Sequence, residues 1–410
     1  MSVPEMLQGR PQLRPDILVS RPLTRGPARI HLLLDPQTGA RMEVAAKVHF
    51  VMDRLDGVRT LDEIGDDYAA QYGVRLGEPQ WRQLLGLLYG RRLLVGTAHG
   101  TMPEQTERPR SSLLEGRIEL VPDTPALIDR LHRATGFARR PLFLALLLLL
   151  LVAQLAGIAA HLPALAASAA SLRHEPPALL AVAAAVWVSM ALHELAHGLV
   201  GRAAGGRVTE IGVRWRLPMA YLYCEVENVR FFPRRRHQVA TAGAGVLANL
   251  ALLLPVYFVW LLLGEPTRTH PVLGALLLIG AGAGLVNLLP LSPLDGYKIL
   301  EFLLGTAQLA TESRRFAVLA ASRLVRRGPG VGTYPARLRL VYGGYALGST
   351  VLTGALLAVL GLFCRQLVPG GYAWFAGILP LLVLTGILAF RTWRTTRTTT
   401  TGGTRKSGKK

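Results

Sequence analysis

His193-Glu194-Leu195-Ala196-His197 lies inside an apolar run from about Leu179 to Val200. On a helix, residues four apart lie on one face one turn apart, so both imidazoles can hold one metal ion. Glu194 stands beside them, placed to take a proton from water activated by that metal. Five residues are a short pattern, and its setting gives it weight. Two histidines and a glutamate are costly to bury in a membrane span, so ionisable groups there mark function. The competing reading is a helix end carrying interfacial histidines.

A second constellation, Asn287-Leu-Leu-Pro290-Leu-Ser-Pro293-Leu-Asp295-Gly296, closes another apolar run from about Pro271 to Leu289. Two histidines leave a catalytic zinc one protein ligand short of the usual three plus water. Asp295 is the natural third donor, a hard oxygen delivered at a broken helix end. Pro290 and Pro293 interrupt the helix, and Gly296 permits backbone that other residues resist. Irregular backbone at membrane depth is tolerated where protein or a water-filled cavity surrounds it.

Together, the HELAH pentapeptide in one apolar segment and N-x-x-P-x-x-x-x-D-G in a later one resemble the site-2-protease group of intramembrane zinc metalloproteases. The resemblance implies His193, His197 and Asp295 as zinc (Zn2+) ligands and Glu194 as general base. It gives Asn287 a substrate-positioning or oxyanion-side role. The stretch from Met219 through Tyr223-Cys224-Glu225 to Arg236, running into Ala242-Gly-Ala-Gly245, is similar to a branch of that group described as peptide zinc metalloproteases.

The 410 residues are 50% hydrophobic, and the mean hydropathy is positive, enough for a membrane core plus a soluble domain. Apolar runs long enough to span a bilayer fall at about 142–160, 178–201, 238–263, 271–290, 341–364 and 372–390. The expected fold is therefore a multi-pass α-helical membrane protein of about six spans, over 138–392. Residues 1–141 contain no apolar segment long enough for a cleavable signal peptide. Segments 128–141, 202–237, 297–340 and 391–410 are thick with arginine, whereas the loops at about 161–177, 264–270 and 365–371 carry one each. The positive-inside rule then puts both termini in the cytoplasm, and HELAH and Asp295 both fall toward the cytoplasmic ends of their segments. The expected location is the bacterial cytoplasmic membrane.

Two cysteines, Cys224 and Cys364, are expected on opposite sides of the membrane and imply no disulfide framework. Cys224 reads as a small packed residue in preference to a metal ligand. The formal net charge of +20 sits mainly in membrane-flanking loops and in the tail 393–410, which is Thr-, Gly- and Lys-rich and reads as disordered. Anionic lipid headgroups are the ordinary partner of such charge, and no nucleic acid is expected.

Residues 12–98 read as a small α+β domain. Ala28–Leu34 and Ala40–Val44 flank the turn Asp35-Pro-Gln-Thr-Gly39 as two strands. A helix follows to Leu55. Thr60-Leu-Asp-Glu63 is a capping box opening the next helix, a third covers about Glu78 to Tyr89, and Arg92–Val95 is a possible return strand. The outline is winged-helix-like, and Leu55–Ile64 with Leu84–Val95 resembles the PqqD-like fold. That resemblance implies recognition of the leader of a ribosomally made precursor peptide. The physical mode is strand addition to the hairpin edge, with side chains entering a groove against the third helix. DNA binding is the rival use of such an outline. It wants a basic face, and Asp53, Asp56, Asp62, Glu63, Asp66 and Asp67 nearly balance the basic residues here. A purely structural cap is the remaining reading.

Residues 99–137 read as a linker followed by a short surface helix from Pro125 to Ala134. The loop from about Gly206 to Phe232 alternates apolar and polar residues as a hairpin, whose edge could hold a substrate strand or simply pack on the bundle. Three functions compete. In the favoured one, a membrane zinc metalloprotease removes or trims the leader of a ribosomally synthesised peptide. In the second, the same chemistry cuts a membrane-anchored signalling protein such as an anti-sigma factor. The third is a non-catalytic peptide exporter or immunity protein.

Overall fold

The computed structural model describes residues 9–96, 115–216, 219–263, 269–324 and 331–367. Two compact units divide the chain, Met1–Leu309 and Ala310–Lys410.

The first unit opens with an antiparallel sheet of β1 (Leu18–Val19), β2 (Leu23–Arg25), β3 (Ala28–Leu34) and β4 (Arg41–Ala45). β3 is central: β1 and β2 pair along one edge, and β4 pairs along the other in the register Leu34 opposite Arg41. The expected hairpin is present. β1 and β2, at two and three residues, are too short to have an alternation signal. Three helices follow: α1 (Ala46–Met52), α2 (Leu61–Tyr72) and α3 (Glu78–Gly90). α1 ends three residues before the expected Leu55.

The Thr60 capping box is complete: the Glu63 N–H donates to Thr60 Oγ1 at 3.3 Å and the Thr60 N–H donates to Glu63 Oε2 at 2.7 Å. Two orphan donors at the helix start are thereby satisfied. Leu33, Val51, Met52, Ile64, Leu85 and Leu88 form the buried core between sheet and helices. The expected strand at Arg92–Val95 reduces to a single bridge between Leu13 and Leu94.

The supposed linker contributes structure of its own. β5 (Glu115–Glu119) pairs with β6 (Val208–Arg216), which pairs with β7 (Met219–Val226) in a three-stranded antiparallel sheet. The hairpin read from the alternation after HELAH is therefore present, with a third strand supplied from residues nearly a hundred positions earlier. The surface helix α4 (Thr124–Ala134) follows β5, capped by Asp123, and buries Ile128.

The bundle of this unit contains α5 (Pro141–Ala160), α6 (Leu162–Ser171), α7 (Pro176–Ala203), α8 (Arg235–Leu263), α9 (Thr269–Val286) and α10 (Asp295–Leu304). α6 occupies what the sequence presents as a loop at 161–177. It packs closely on α9, where a Cβ on Gly274 would stand 2.8 Å from Ser168 Oγ. Leu151, Leu165, Leu250, Leu253, Trp260 and Leu277 fill the centre. β2 bolts the N-terminal sheet to the end of α10: the Thr24 N–H donates to the Gly305 carbonyl at 2.8 Å, and the Ala307 N–H donates to the Thr24 carbonyl at 2.9 Å.

The second unit contains α11 (Leu309–Leu324, starting at the last residue of the first unit) and α12 (Ala336–Leu367). Phe316, Tyr334 and Tyr342 cluster within it, with Tyr334 and Tyr342 edge-on at 6.0 Å.

Five helices among the described residues are long and apolar enough to cross a membrane: Pro141–Ala160, Pro176–Ala203, Arg235–Leu263, Thr269–Val286 and Ala336–Leu362. They match five of the six expected spans. The sixth, at 372–390, and the tail at 393–410 lie outside the described residues.

Candidate metal centre

α7 carries His193 and His197 on one face, as a four-residue separation requires. Both rings are buried, at 2% and 7% exposure. Asp295, the first residue of α10, joins them from the far side at 5% exposure. Its Oδ2 lies 2.9 Å from His193 Nε2 and 3.1 Å from His197 Nε2, and the two Nε2 atoms are 3.1 Å apart. The three donors read from the sequence are thus brought together in one buried cluster.

Neighbouring groups orient each of the three. The His197 Nδ1–H donates to the Thr241 carbonyl at 2.6 Å, which leaves Nε2 as the lone-pair atom. Asn249 stands 3.1 Å from His193 Nδ1, and the Ser189 hydroxyl lies 3.0 Å from its other amide atom. The atom facing Nδ1 is the amide nitrogen, with the Ser189 hydroxyl donating to the amide oxygen; a metal on Nε2 would put the proton on Nδ1, and the amide would then turn its oxygen to it. α8 passes so close that a Cβ on Gly245 would sit 2.4 Å from His193 Nε2. Glycine is required there by close approach.

Asp295 is held by the break between α9 and α10. The Gly296 N–H donates to the Asn287 carbonyl at 2.7 Å, and a Cβ on Gly296 would fall 2.0 Å from the Leu288 carbonyl oxygen. Only glycine fits this fold-back. Lys298, one turn on, donates to Asp295 Oδ1 at 2.9 Å and leaves Oδ2 facing the imidazoles. Burial alone would push the Asp295 carboxyl up. The histidine hydrogen bonds and the Lys298 charge outweigh it and hold the group well below the usual carboxylate range. As the first residue of α10, the carboxylate is also favoured by the helix dipole.

Glu194 is half-buried, with no hydrogen-bond or ion-pair partner among the described residues. Asn287 lies at the α9 end, where its side-chain amide donates to the Ala283 carbonyl at 3.4 Å, folded back on its own helix. It does not join the three-donor cluster. Cys224 does not join it either. Its Sγ packs against Gly198, where a Cβ would be 2.6 Å away, and burial, assisted by the Glu194 charge, pushes the thiol up to about 12.

The donor set fits a metal ion. Tetrahedral zinc with ligand bonds of roughly 2.0–2.1 Å separates its ligand atoms by about 3.3 Å, close to the 2.9–3.1 Å seen here. Three lone-pair atoms converging at such distances repel one another unless a cation or protons lie among them.

Sequence reasoning did not find Asn249, Thr241 or Lys298. A signal existed for Asn249, a polar residue inside the apolar run 238–263. Thr241 acts through its backbone, which no residue type announces. No family model, curated protein or solved structure matches this chain.

Proposed function

We propose that this chain is a membrane zinc endopeptidase that hydrolyses a peptide bond in a ribosomally made precursor, removing or trimming its leader. The observation that carries the reading is Glu194: a half-buried carboxylate without a hydrogen-bond or ion-pair partner among the described residues, beside three converging donors. A carboxylate so placed is suited to proton transfer with water, the duty of a general base.

His193, His197 and Asp295 would hold the ion. Bound zinc supplies Lewis acidity, lowering the pKa of water to roughly 7 and polarising a carbonyl oxygen. Glu194 accepts the proton of the attacking water and delivers it to the departing amine nitrogen. The Thr241 carbonyl keeps His197 in the tautomer that leaves Nε2 free, and Asn249 would do the same for His193 with its amide oxygen turned to Nδ1. Asn287 positions substrate in this reading, exchanging its long bond to Ala283 for one to the peptide. The cytoplasmic side is the site of cleavage, on the strength of the arginine distribution.

The N-terminal domain would supply the substrate. β4 forms the outer edge of its sheet among the described residues and leads directly into α1, which with α2 and α3 encloses an apolar groove of about 320 Å³ lined by Val48, Val51, Tyr68, Leu84 and Leu87. An open edge strand leading into an apolar groove suits an extended peptide, which favours a leader over a folded membrane-anchored target. Glu194→Gln tests the catalytic part. Zinc content at one equivalent with turnover of precursor peptide lost supports it; a zinc-loaded variant that still cleaves refutes it.

A further inference from the structure

We propose that the β4 edge and the metal centre are joined by one continuous substrate track, which the peptide enters with its C-terminal end toward the metal and an acidic side chain opposite Arg41. The inference rests on the endopeptidase reading and adds the route, polarity and charge of the substrate.

A cleft of about 550 Å³ opens at the Arg41 end of β4. Arg41 and Met42 line it from the sheet, Phe231 and Arg230 from the segment after β7, and Phe302 and Lys298 from α10. Lys298 is also the residue that donates to Asp295 Oδ1, so the cleft ends one side chain from a metal donor. The apolar groove begins at the opposite end of β4, at Lys47 and Val48. A strand of five residues covers ~17 Å, so an extended peptide paired with β4 would run from the groove end to the cleft, its alternate side chains turned to the two faces of the sheet. The Thr24 bonds to Gly305 and Ala307 hold the sheet against the end of α10.

The outer edge of β4 has its hydrogen-bonding groups available. The Asp35 N–H donates to the Ala40 carbonyl, and antiparallel alternation then turns the N–H and C=O of Arg41, Glu43 and Ala45 outward. Among the described residues no strand pairs with that edge. Every pairing in the sheet is antiparallel. A peptide added in the same sense runs from the Lys47 groove to the Arg41 cleft, so its C-terminal part advances toward Asp295.

Charge sets the preferred substrate. Glu43 is paired with Arg25, Arg230 with Glu301, and Lys298 with Asp295. Arg41 is exposed with no side-chain partner among the described residues. A carboxylate side chain on the peptide would balance it.

The test uses full-length zinc-loaded Glu194→Gln protein in lipid nanodiscs. The probes are pools of 16-residue random-sequence peptides with two fixed aspartates and a benzophenone residue near either end. Photo-crosslinks are mapped by mass spectrometry. The expected result is labelling around Phe231 and Phe302 by the C-terminal probe and around Leu84 and Leu87 by the N-terminal probe. In the same background, Arg41→Glu should lower cleft labelling about fivefold or more and favour a pool with fixed lysines. Ala45→Pro should lower labelling by both probes, since Ala45 has φ −66° and proline there removes only an outward N–H. A reversed map, a cleft left unlabelled while the groove is labelled, or equal labelling by aspartate and lysine pools would overturn the track. Peptides that crosslink as expected yet survive zinc-loaded protein with Glu194 intact would instead remove the endopeptidase reading and leave the track standing.

Discussion

His193 and Asp295, 102 residues apart in the chain, bring Nε2 and Oδ2 to 2.9 Å inside the protein. The contact closes the cluster, because α7 alone supplies two donors and α10 the third. Asp295→Ala should therefore lower zinc affinity by more than the roughly 10–100-fold typical of an orienting neighbour. Zinc titration against a chelator measures it, and unchanged affinity would take Asp295 out of the ligand set.

Asn249→Ala tests the orienting neighbour itself. Removing the amide leaves His193 Nδ1 without its partner at 3.1 Å. Zinc affinity is expected to fall about 10–100-fold, with the circular dichroism spectrum unchanged. Affinity equal to that of the unsubstituted protein would show that the ring is held by packing against Gly245 alone.

Gly296→Ala places a methyl group 2.0 Å from the Leu288 carbonyl oxygen. The loop must open, and Asp295 moves with it. The expected result is loss of zinc together with a lowered thermal midpoint, whereas Gly282→Ala, with nothing within 4 Å, should leave both unaltered. A zinc-replete Gly296→Ala protein would contradict the close approach.

Cys224 should be a poor nucleophile. Its thiol is pushed up to about 12 against an ordinary value of 9.0, so almost none is thiolate at pH 8. The folded state holds this proton more firmly than the unfolded chain does. The associated stability is therefore complete below about pH 9 and fades as pH climbs toward 12. Alkylation of Cys224 by iodoacetamide at pH 8 should be roughly 100-fold or more slower than in the denatured chain, in line with the suppressed thiolate. Equal rates would refute the assignment.

In the N-terminal domain, Arg14 holds Asp35 through two bonds, Nη2 to Oδ1 at 2.9 Å and Nη1 to Oδ2 at 3.3 Å. Burial pushes the Asp35 carboxyl up, but the bonds from Arg14, Gln37 and Thr38 outweigh it and leave the group below its ordinary range. The lowered value means that the pair stabilises the fold above about pH 4 and less as pH falls through the carboxylate range. Arg14→Ala strands a buried carboxylate, and a loss of about 3 kcal/mol is expected at pH 7. Urea unfolding at pH 7 and pH 3 measures it. The difference between variant and parent should shrink at the lower pH.

Features that depend on sequence-local order were legible in the chain. The four-residue spacing of His193 and His197, the Thr60–Glu63 cap, the β3–β4 alternation and the long apolar runs each depend on residues within a turn, a hairpin or a single helix. Asp295 could be paired with the histidines because a catalytic zinc lacks a ligand without it, a chemical constraint that overrides distance in the chain.

Other features exist only once distant segments meet. Glu115–Glu119 is unremarkable by itself and becomes a strand because β6 offers an edge. Leu162–Ser171 reads as a loop, yet it is a helix packed on α9 across small residues. Glu301, 2% exposed, binds Arg230 and the Leu309 N–H, joining segments that no local pattern links.

The sequence by itself determined the donor set, the long apolar spans and the hairpins and helices with a clear local pattern, since periodicity and donor chemistry are written residue by residue. Only the tertiary structure decided which neighbours orient the imidazoles, how Gly296 folds against Leu288, and that the β4 edge opens into a cleft beside Lys298. Those are contacts between residues far apart in the chain, and they form only when loop closure has been offset by burial and hydrogen bonding.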